Sequence, residues 1–296
     1  MAVIADGVAA PAQVSRSPTL LRVRDALRRH PTAILGAVVL LLLILMAVLA
    51  PLLGTVDPQA ISPIRRLRQP SETYWFGTDM LGRDVYSRVV YGARVSLAVG
   101  LSVAALATVI GLTIGLVTGF VRWLDGIVMR VMDGLMSIPG VLLAIALMAL
   151  TKASVANVII AITVTEVPRV VRLIRSLVLS LREQPYVDAA VAAGTRTPRI
   201  LVRHILPNTV APLLVQGTYI CASAMLTEAI LSFLGAGTPP NIPSWGNIMA
   251  EGRSLFLIAN YLIFFPGIFL SLAVLSVNLL GDGLRDALDP RLARNM

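Results

Sequence analysis

The strongest constraint on the fold of this chain is a long apolar run that contains no charged residue. The run covers residues 33–53, and a helix of about 20 residues spans the hydrocarbon core of a bilayer, which is about 30 Å thick. A helix on a soluble protein would carry a polar face along its length. Only 14% of the residues are charged, whereas soluble domains carry about 25%. The run therefore predicts a membrane protein whose first transmembrane helix covers residues 31–53.

Five more apolar stretches predict an all-α integral membrane fold with six transmembrane helices. These helices are expected at about 94–119, 126–150, 154–168, 209–234 and 257–280. Pro139 should kink the helix that contains it, and Pro168 should end the next one. Gly111, Gly115 and Gly119 form a stripe that suits the close approach of another helix. The same stripe is also compatible with the general tolerance of membrane helices for glycine.

The net charge of +9 is best explained by membrane topology. The arginines flank the apolar runs and do not gather with aromatic residues, as a nucleic-acid-binding surface would require. Most of them lie on the side that holds both termini, which predicts cytoplasmic ends, although the region 54–94 is also rich in arginine. The expected parts are cytoplasmic tails at 1–30 and 282–296, an extracytoplasmic loop at 54–92, and a five-helix core at 93–281 that includes a polar segment at 182–207.

The polar segment predicts two short helices separated by a turn. Residues 186–193 are rich in alanine, and Gly194 stands where a left-handed residue would end a helix. Thr197 and Pro198 suit the cap and first position of a second helix, which Pro207 should break. Asp188 suits the positive end of the first helix dipole. Such a pair of helices docks on a soluble partner or lies on the membrane surface, and composition leaves both readings open.

The motif in this segment resembles the EAA loop of binding-protein-dependent ABC transporter permeases. The match consists of Asp188-Ala189-Ala190, Gly194 and His204-Ile205-Leu206-Pro207, with Asp188 in the place of the usual glutamate. In that family the loop couples the permease to its ATPase. The resemblance therefore implies that the ATPase-coupling residues are Asp188, Ala189, Ala190, Gly194, Arg199, His204 and Pro207.

Further motifs look like those of the DppC/OppC group of peptide and nickel permeases. One is a signature loop with Gly77, Asp79, Gly82, Arg83 and Asp84, and others include residues 228–235 and 278–290. The resemblance implies a type I ABC importer permease, a MetI-like core with cytoplasmic coupling helices in the inner or plasma membrane. It also implies a second homologous permease, two ATP-binding cassette subunits or domains that bind ATP and magnesium, and an extracytoplasmic solute-binding protein.

Several ionisable residues lie in or beside the predicted helices, where a charge requires a partner. Asp133 and Glu166 are expected to pair with Arg130 or Arg169. Glu228 either lines the translocation path or, as we favour, holds a hydrogen-bond network at the subunit interface.

The loop at 54–92 has two open readings. It either receives the binding protein or caps the core, and in both cases Asp79, Arg83 and Asp84 could form a salt-bridged turn. Histidine and cysteine indicate no metal site: His204 is expected to pack or hydrogen-bond, and His30 is too distant from it in the sequence. Cys221 is a lone residue in an apolar run.

The sequence shows none of the motifs that would make this chain itself an enzyme or an ATP-binding protein. It has no phosphate-binding loop ending in Lys-Ser/Thr and no HExxH motif. We therefore expect no catalytic residues and no cofactor in this chain. The expected function is an importer permease for di- or oligopeptides, working by alternating access that the partner ATPases drive, with nickel or glutathione as alternative substrates. An ion-coupled secondary transporter is less favoured because no internal repeat is visible.

Overall fold

The computed structural model describes residues 31–288, and all regular structure in this range is helical. The helices are α1 Pro31–Val48, α2 Val85–Phe120, α3 Arg122–Ser137, α4 Gly140–Ala149, α5 Val155–Leu181, α6 Pro185–Ala192, α7 Thr197–Ile200, α8 Leu206–Phe233, α9 Trp245–Gly252 and α10 Tyr261–Leu288. Short 3₁₀ turns cover Ala50–Leu52, Pro63–Arg65 and Arg253–Leu255, and a π-helical turn covers Leu201–Ile205. The predicted tail at 1–30 and the end of the C-terminal tail lie outside the described residues.

Four helices are long and apolar enough to cross a membrane. They are Pro31–Val48, Val85–Phe120, Thr197–Phe233 and Tyr261–Leu288, and the bent pair α3 and α4 makes a fifth if it counts as one span. The stretch expected at 154–168 lies in α5, which carries Glu166 and several arginines and falls outside this set. The described residues therefore hold four or five candidate spans by length and composition, and the count of six stays a prediction.

The first helix of the core begins earlier than the apolar pattern indicates. α2 begins at Val85 instead of near residue 94 because Asp84 caps it: the Asp84 carboxylate accepts hydrogen bonds from the Ser87 N–H at 2.8 Å and the Ser87 hydroxyl at 2.6 Å. A capping carboxylate satisfies backbone donors that the helix itself leaves unpaired. The last part of the loop expected at 54–92 is therefore helical.

Two prolines act differently from each other. Pro168 lies inside α5, which continues to Leu181, so the predicted end at Pro168 is wrong. Pro168 is buried together with Val167, Val170 and Val171, and this packing offsets the hydrogen bond that proline removes. Pro139 has a stronger effect than the predicted kink, because α3 and α4 meet there at 91°.

The glycine stripe of α2 is a packing surface for α5. A Cβ atom on Gly115 would lie 2.7 Å from the Ile174 Cβ, and one on Gly119 would lie 2.6 Å from the Val178 Cβ. Separations this short are not tolerated between carbon atoms, so the two helices can approach this closely only because glycine has no side chain. The packing interpretation of the stripe is thus confirmed within this chain.

Two buried apolar clusters hold the bundle together. The first joins α2, α5 and α8 and also receives Val187, Ile200 and Ile205 from the polar segment. The second joins α1, α2, α8, α9 and α10, with Trp245 fully buried at its centre. α10 continues to Leu288, so the first residues of the tail predicted at 282–296 are helical.

Candidate functional site

The polar segment between α5 and α8 folds into short helices joined by a glycine turn. α6 ends at Ala192, and the turn after it contains Gly194, whose φ of 73° lies in the left-handed region. The Gly194 N–H donates to the Val191 carbonyl at 2.9 Å and the Thr195 N–H donates to the Ala190 carbonyl at 3.0 Å. These two bonds form a Schellman motif, which glycine adopts without steric cost. The left-handed conformation predicted for Gly194 is confirmed.

One face of this segment is anchored and the other is free. Val187, Ile200 and Ile205 are buried in the first apolar cluster. Asp188 and Ala189 are exposed, while Ala190 is half-buried against the cluster. A Cβ atom on Gly194 would meet nothing within 4 Å. The segment therefore presents a face of mostly small side chains on a base that is fixed to the bundle.

The segment continues into α8 without a break. The predicted break at Pro207 is wrong: residues Thr197–Phe233 form one helix of 37 residues. The Leu206 N–H reaches back to the Leu201 carbonyl, and this wider π turn makes room for a proline that cannot donate to the preceding turn. The Asn208 side chain donates to the His204 carbonyl at 2.7 Å. We call Thr197–Phe233 the coupling rod.

Three further residues that the resemblance assigns to coupling are His204, Arg199 and Pro207. The His204 ring lies 6.4 Å from the Tyr186 ring, centroid to centroid, so it packs the coupling rod against α6. Arg199 and Pro207 are exposed. The coupling rod starts at Thr197 with Arg196 at the cap position and no capping side chain, so the cap predicted for Thr197 is wrong.

A recess lies beside α6, where α2 and α5 end. Its volume is about 420 Å³, and it is lined by Phe120, Arg122, Arg182, Glu183, Val187, Asp188 and Val191. The Arg182 guanidinium donates to the Gly119 carbonyl at 3.2 Å and thereby holds the end of α5 to the end of α2. Asp188 thus stands at the edge of a recess that carries charges of both signs.

Three arginines of α5 bind carboxylates. Arg172 pairs with Asp133 at 2.5 Å, and Arg175 donates to both carboxylate oxygens of Asp125. Asp133 was expected to pair with Arg130 or Arg169, and the structure gives it a partner from the next long helix instead. The expected pair of Glu166 with Arg169 is confirmed at 3.3 Å.

At the other end of the bundle, four charges form a cluster in which Glu251 is partly exposed and the other three residues are buried. The Asp79 carboxylate accepts from Arg83 Nε and Arg88 Nη1, both at 2.6 Å. Glu251 of α9 accepts from Arg83 at 2.9 Å and from Arg88 at 2.6 Å. We call Asp79, Arg83, Arg88 and Glu251 the outer charge cluster. Sequence reasoning missed Arg88 and Glu251, although Glu251 is the only acidic residue between Glu228 and Asp282. Asp84 stays outside the cluster because it caps α2.

The signature loop is folded onto the bundle. Gly82 has a φ of 74°, and a Cβ atom there would overlap the Ser62 carbonyl oxygen. Phe76 stacks on Phe265 with 3.9 Å between ring centroids, and the Tyr261 hydroxyl donates to the Thr78 carbonyl at 2.8 Å. The loop therefore caps the core, which was one of its two readings; contact with a binding protein stays a prediction.

Glu228 lies inside the chain, in a network of hydroxyl groups. It is 0% exposed, and its Oε1 accepts from Ser244 at 2.8 Å and from Ser232 at 2.9 Å. Ser96 and Thr238 complete the network at 3.5 Å. The hydrogen-bond network that we favoured is present, and it joins α8 to α2 and α9. A role for Glu228 at the subunit interface or in the translocation path stays a prediction.

Comparison with known proteins agrees with these features. Residues 107–294 match the family model described as binding-protein-dependent transport system inner membrane component, and residues 19–70 match the N-terminal TM domain of oligopeptide transport permease C. A probable peptide ABC transporter permease of Sinorhizobium fredii is 57% identical over 267 residues, which are 90% of this chain and 91% of that protein.

A glutathione transport system permease of Pectobacterium atrosepticum is 41% identical over 271 residues, with coverage of 91% and 90%. A solved chain from the MetNI methionine ABC transporter in inward-facing conformations superposes with a TM-score of 0.56 at 20% identity, over 69% of this chain and 98% of its own length. This likeness shows an all-helical permease fold of the MetI-like type. The chain belongs to the family of binding-protein-dependent transport system inner membrane components.

Proposed function

We propose that this chain is one of two permease subunits of an ATP-driven importer for di- or oligopeptides. Its partners are a homologous permease, two ATP-binding cassette subunits or domains that bind ATP and magnesium, and an extracytoplasmic solute-binding protein. The chain contributes half of the transmembrane path and carries no catalytic residue or cofactor of its own. Family membership and the peptide permeases among the relatives support this proposal.

The observation that carries the coupling proposal is the continuity between the coupling rod and the exposed segment before it, residues 185–196, which we call the knob. The small-residue face of α6 offers a close-fitting surface, and Asp188 stands beside a recess that accepts a partner side chain. The ATPase would dock on this face, because small side chains permit close approach of two backbones. A displacement of the knob would pass into the coupling rod, since the knob leads directly into this helix of 37 residues.

The proposed topology has six spans. They are the four apolar helices, the bent pair α3–α4 counted as one span, and α5, which composition alone leaves out. α5 packs its valine and isoleucine face against the glycines of α2, and its arginines lie in its C-terminal half. Placing that end in the cytoplasm agrees with the excess of arginine beside cytoplasmic helix ends. Both termini and the α6 knob then lie in the cytoplasm, and the outer charge cluster lies on the opposite side.

The substrate class follows from the relatives. The Sinorhizobium fredii relative is described as a peptide permease, and the Pectobacterium atrosepticum relative as a glutathione permease. Glutathione is itself a small peptide, so the two descriptions share one chemistry. We propose peptides of a few residues as substrates and keep glutathione as the second candidate.

The test replaces Gly194 with a bulky residue. Gly194→Ile should abolish ATP-dependent peptide uptake, because the side chain occupies the docking face and isoleucine strains the left-handed turn. The matched control is Gly235→Ile, since Gly235 also has a positive φ, of 82°, and open space around its Cβ position. Uptake is measured with labelled peptide, and membrane insertion is checked by immunoblotting of membranes.

Both variants should insert normally, and only Gly194→Ile should lose transport. Full transport by Gly194→Ile would exclude the coupling role of this turn. Equal loss in both variants would point to general strain instead of lost docking.

A further inference from the structure

The exposed face of α3, which points away from the bundle, carries an apolar stripe with an arginine beside it. Trp123, Ile127 and Val131 follow one another at intervals of four residues and are 71%, 60% and 54% exposed. Residues at this spacing lie in line along a helix. Arg130 is exposed next to this stripe, and Gly126 leaves the space between them open. The face therefore combines a tryptophan, two branched aliphatic residues and a cation.

The opposite face of α3 is fixed to the bundle. Met132 is buried in the first apolar cluster, and Asp125 and Asp133 bind Arg175 and Arg172 of α5. These bonds set the rotation of α3, so the apolar stripe cannot turn inward. They also neutralise both acidic residues of α3. Within residues 31–288, Arg130 has no ion pair, and the outer face therefore carries positive charge.

The direction of α3 differs from that of the spanning helices. It meets α4 at 91°, and α4 is apolar and without charge. Asp125 and Asp133 are separated by about 12 Å along α3, whereas their partners Arg172 and Arg175 are separated by only about 4.5 Å along α5. α3 is therefore inclined to α5, and both of its partners lie in the C-terminal half of α5. In the proposed topology this half of α5 ends at the cytoplasmic surface, which places α3 along that surface.

We infer that α3 lies at the membrane surface, as the interfacial half of the α3–α4 span, and binds anionic phospholipid. Trp123, Ile127 and Val131 enter the boundary between headgroups and acyl chains, where tryptophan is enriched and where amphipathic helices with basic residues bind. Arg130 binds the phosphate of an anionic headgroup, and electrostatic attraction favours anionic over zwitterionic lipid. Both the placement of α3 at the membrane surface and its assignment to the cytoplasmic leaflet rest on the proposed topology, in which α5 is a span.

The size of the face favours lipid over a protein partner. The stripe consists of three side chains along about 12 Å of helix. A stable protein interface buries about 800 Å² per partner, which three side chains do not provide. A lipid surface needs no such area, because it binds an amphipathic helix through a narrow face.

The test measures quenching of Trp123 by brominated lipid. The importer complex is reconstituted into phosphatidylcholine vesicles that contain brominated phosphatidylcholine or brominated phosphatidylglycerol, with the bromines near the headgroup end. The Trp123 signal is the difference between the wild type and Trp123→Phe, since all other tryptophans are common to both. We expect quenching by both lipids, several-fold stronger with phosphatidylglycerol.

Two arginine variants then test the basis of the preference. Arg130→Gln should make quenching by the two lipids equal. Arg253→Gln is the matched control, because Arg253 is exposed far from α3, beside Phe233, and should leave the preference intact. Absence of quenching by either lipid would mean that protein covers the face and would overturn the inference. Equal quenching in the wild type, or a preference retained in Arg130→Gln, would overturn the anionic contact. Peptide uptake plays no part in this readout, so a failed transport proposal remains distinguishable.

Discussion

At the scale of single residues, the outer charge cluster shows how this chain buries charge. Arg88 is 1% exposed and Asp79 is 0% exposed. Each arginine of the cluster meets both carboxylates, so the four charges balance. A buried charge is strongly unfavourable without such compensation. The balance ties three parts of the molecule together: the signature loop, the start of α2 and α9.

This balance predicts a large effect of removing Arg88. Arg88→Met should lower the free energy of unfolding by about 3–5 kcal/mol, because Asp79 is left buried beside fewer cations. The measurement is the thermal stability of the detergent-solubilised protein. Arg253→Met serves as control, since Arg253 is exposed and outside the cluster. Equal stability of the two variants would show that the cluster contributes little.

Local spacing predicted some residue roles and not others. The left-handed conformation of Gly194 follows from an alanine-rich helix that must end before Thr197 and Pro198. The pairing of Asp79 with Arg83 is also local. Arg88 and Glu251 are 163 residues apart, and nothing in one sequence indicates that α9 brings them together. The pairing of Asp133 with Arg172 could not be predicted for the same reason, because it depends on how α3 packs on α5.

At the scale of helices, proline was the least reliable signal. Pro139 breaks its helix, whereas Pro168 and Pro207 lie within continuous helices. The difference lies in the surroundings, because the helix around Pro168 is packed on the glycine stripe of α2 and the helix around Pro207 widens into a π turn. Tertiary packing of this kind overrides the tendency of proline to end a helix. The spacing of apolar residues in the sequence does not indicate where such packing will occur.

Replacing a glycine by alanine should change the stability in opposite directions in the glycine stripe of α2 and on the exposed face of α3. Gly115→Ala should destabilise the protein by about 1–3 kcal/mol, because the new Cβ collides with Ile174 in a packed interface. Gly126→Ala should instead stabilise it by about 0.5–1 kcal/mol, because alanine favours the helix and its Cβ meets nothing within 4 Å.

Thermal unfolding of the two variants in the same detergent measures both changes. The wild-type protein is the reference for each. A gain of stability in Gly115→Ala would contradict the close contact between α2 and α5.

At the scale of the whole molecule, two long helices join its two ends. α2 runs from the outer charge cluster to the recess beside Asp188. The coupling rod runs from the knob to the network around Glu228. We expect a movement at the knob to reach the network that holds α9 and, through α9, the outer charge cluster. This geometry suits a permease that opens on one side when its partner moves on the other.

Much of this architecture could be predicted from the sequence, but the boundaries and contacts could not. Long uncharged runs predicted the membrane helices, and the pattern around Gly194 predicted a short helix that ends in a left-handed turn. Composition alone leaves α5 out of the candidate spans, because it carries Glu166 and several arginines. Two of these arginines are paired with aspartates of α3, and no local pattern indicates such partners. The bend between α3 and α4 was underestimated, since one proline at residue 139 does not specify an angle.

The central claim is that the α6 knob docks the ATPase, and co-purification from membranes tests it most directly. The chain is tagged and purified as wild type, as Asp188→Arg with Gly194→Ile, and as a control with Glu72→Arg and Gly235→Ile. The control makes the same changes of charge and volume at exposed positions in loops outside the knob. We predict that the wild type and the control retain the ATPase, while the knob variant inserts into membranes and purifies without it. A wild-type chain that purifies alone and transports without ATP would contradict the account and favour a secondary transporter.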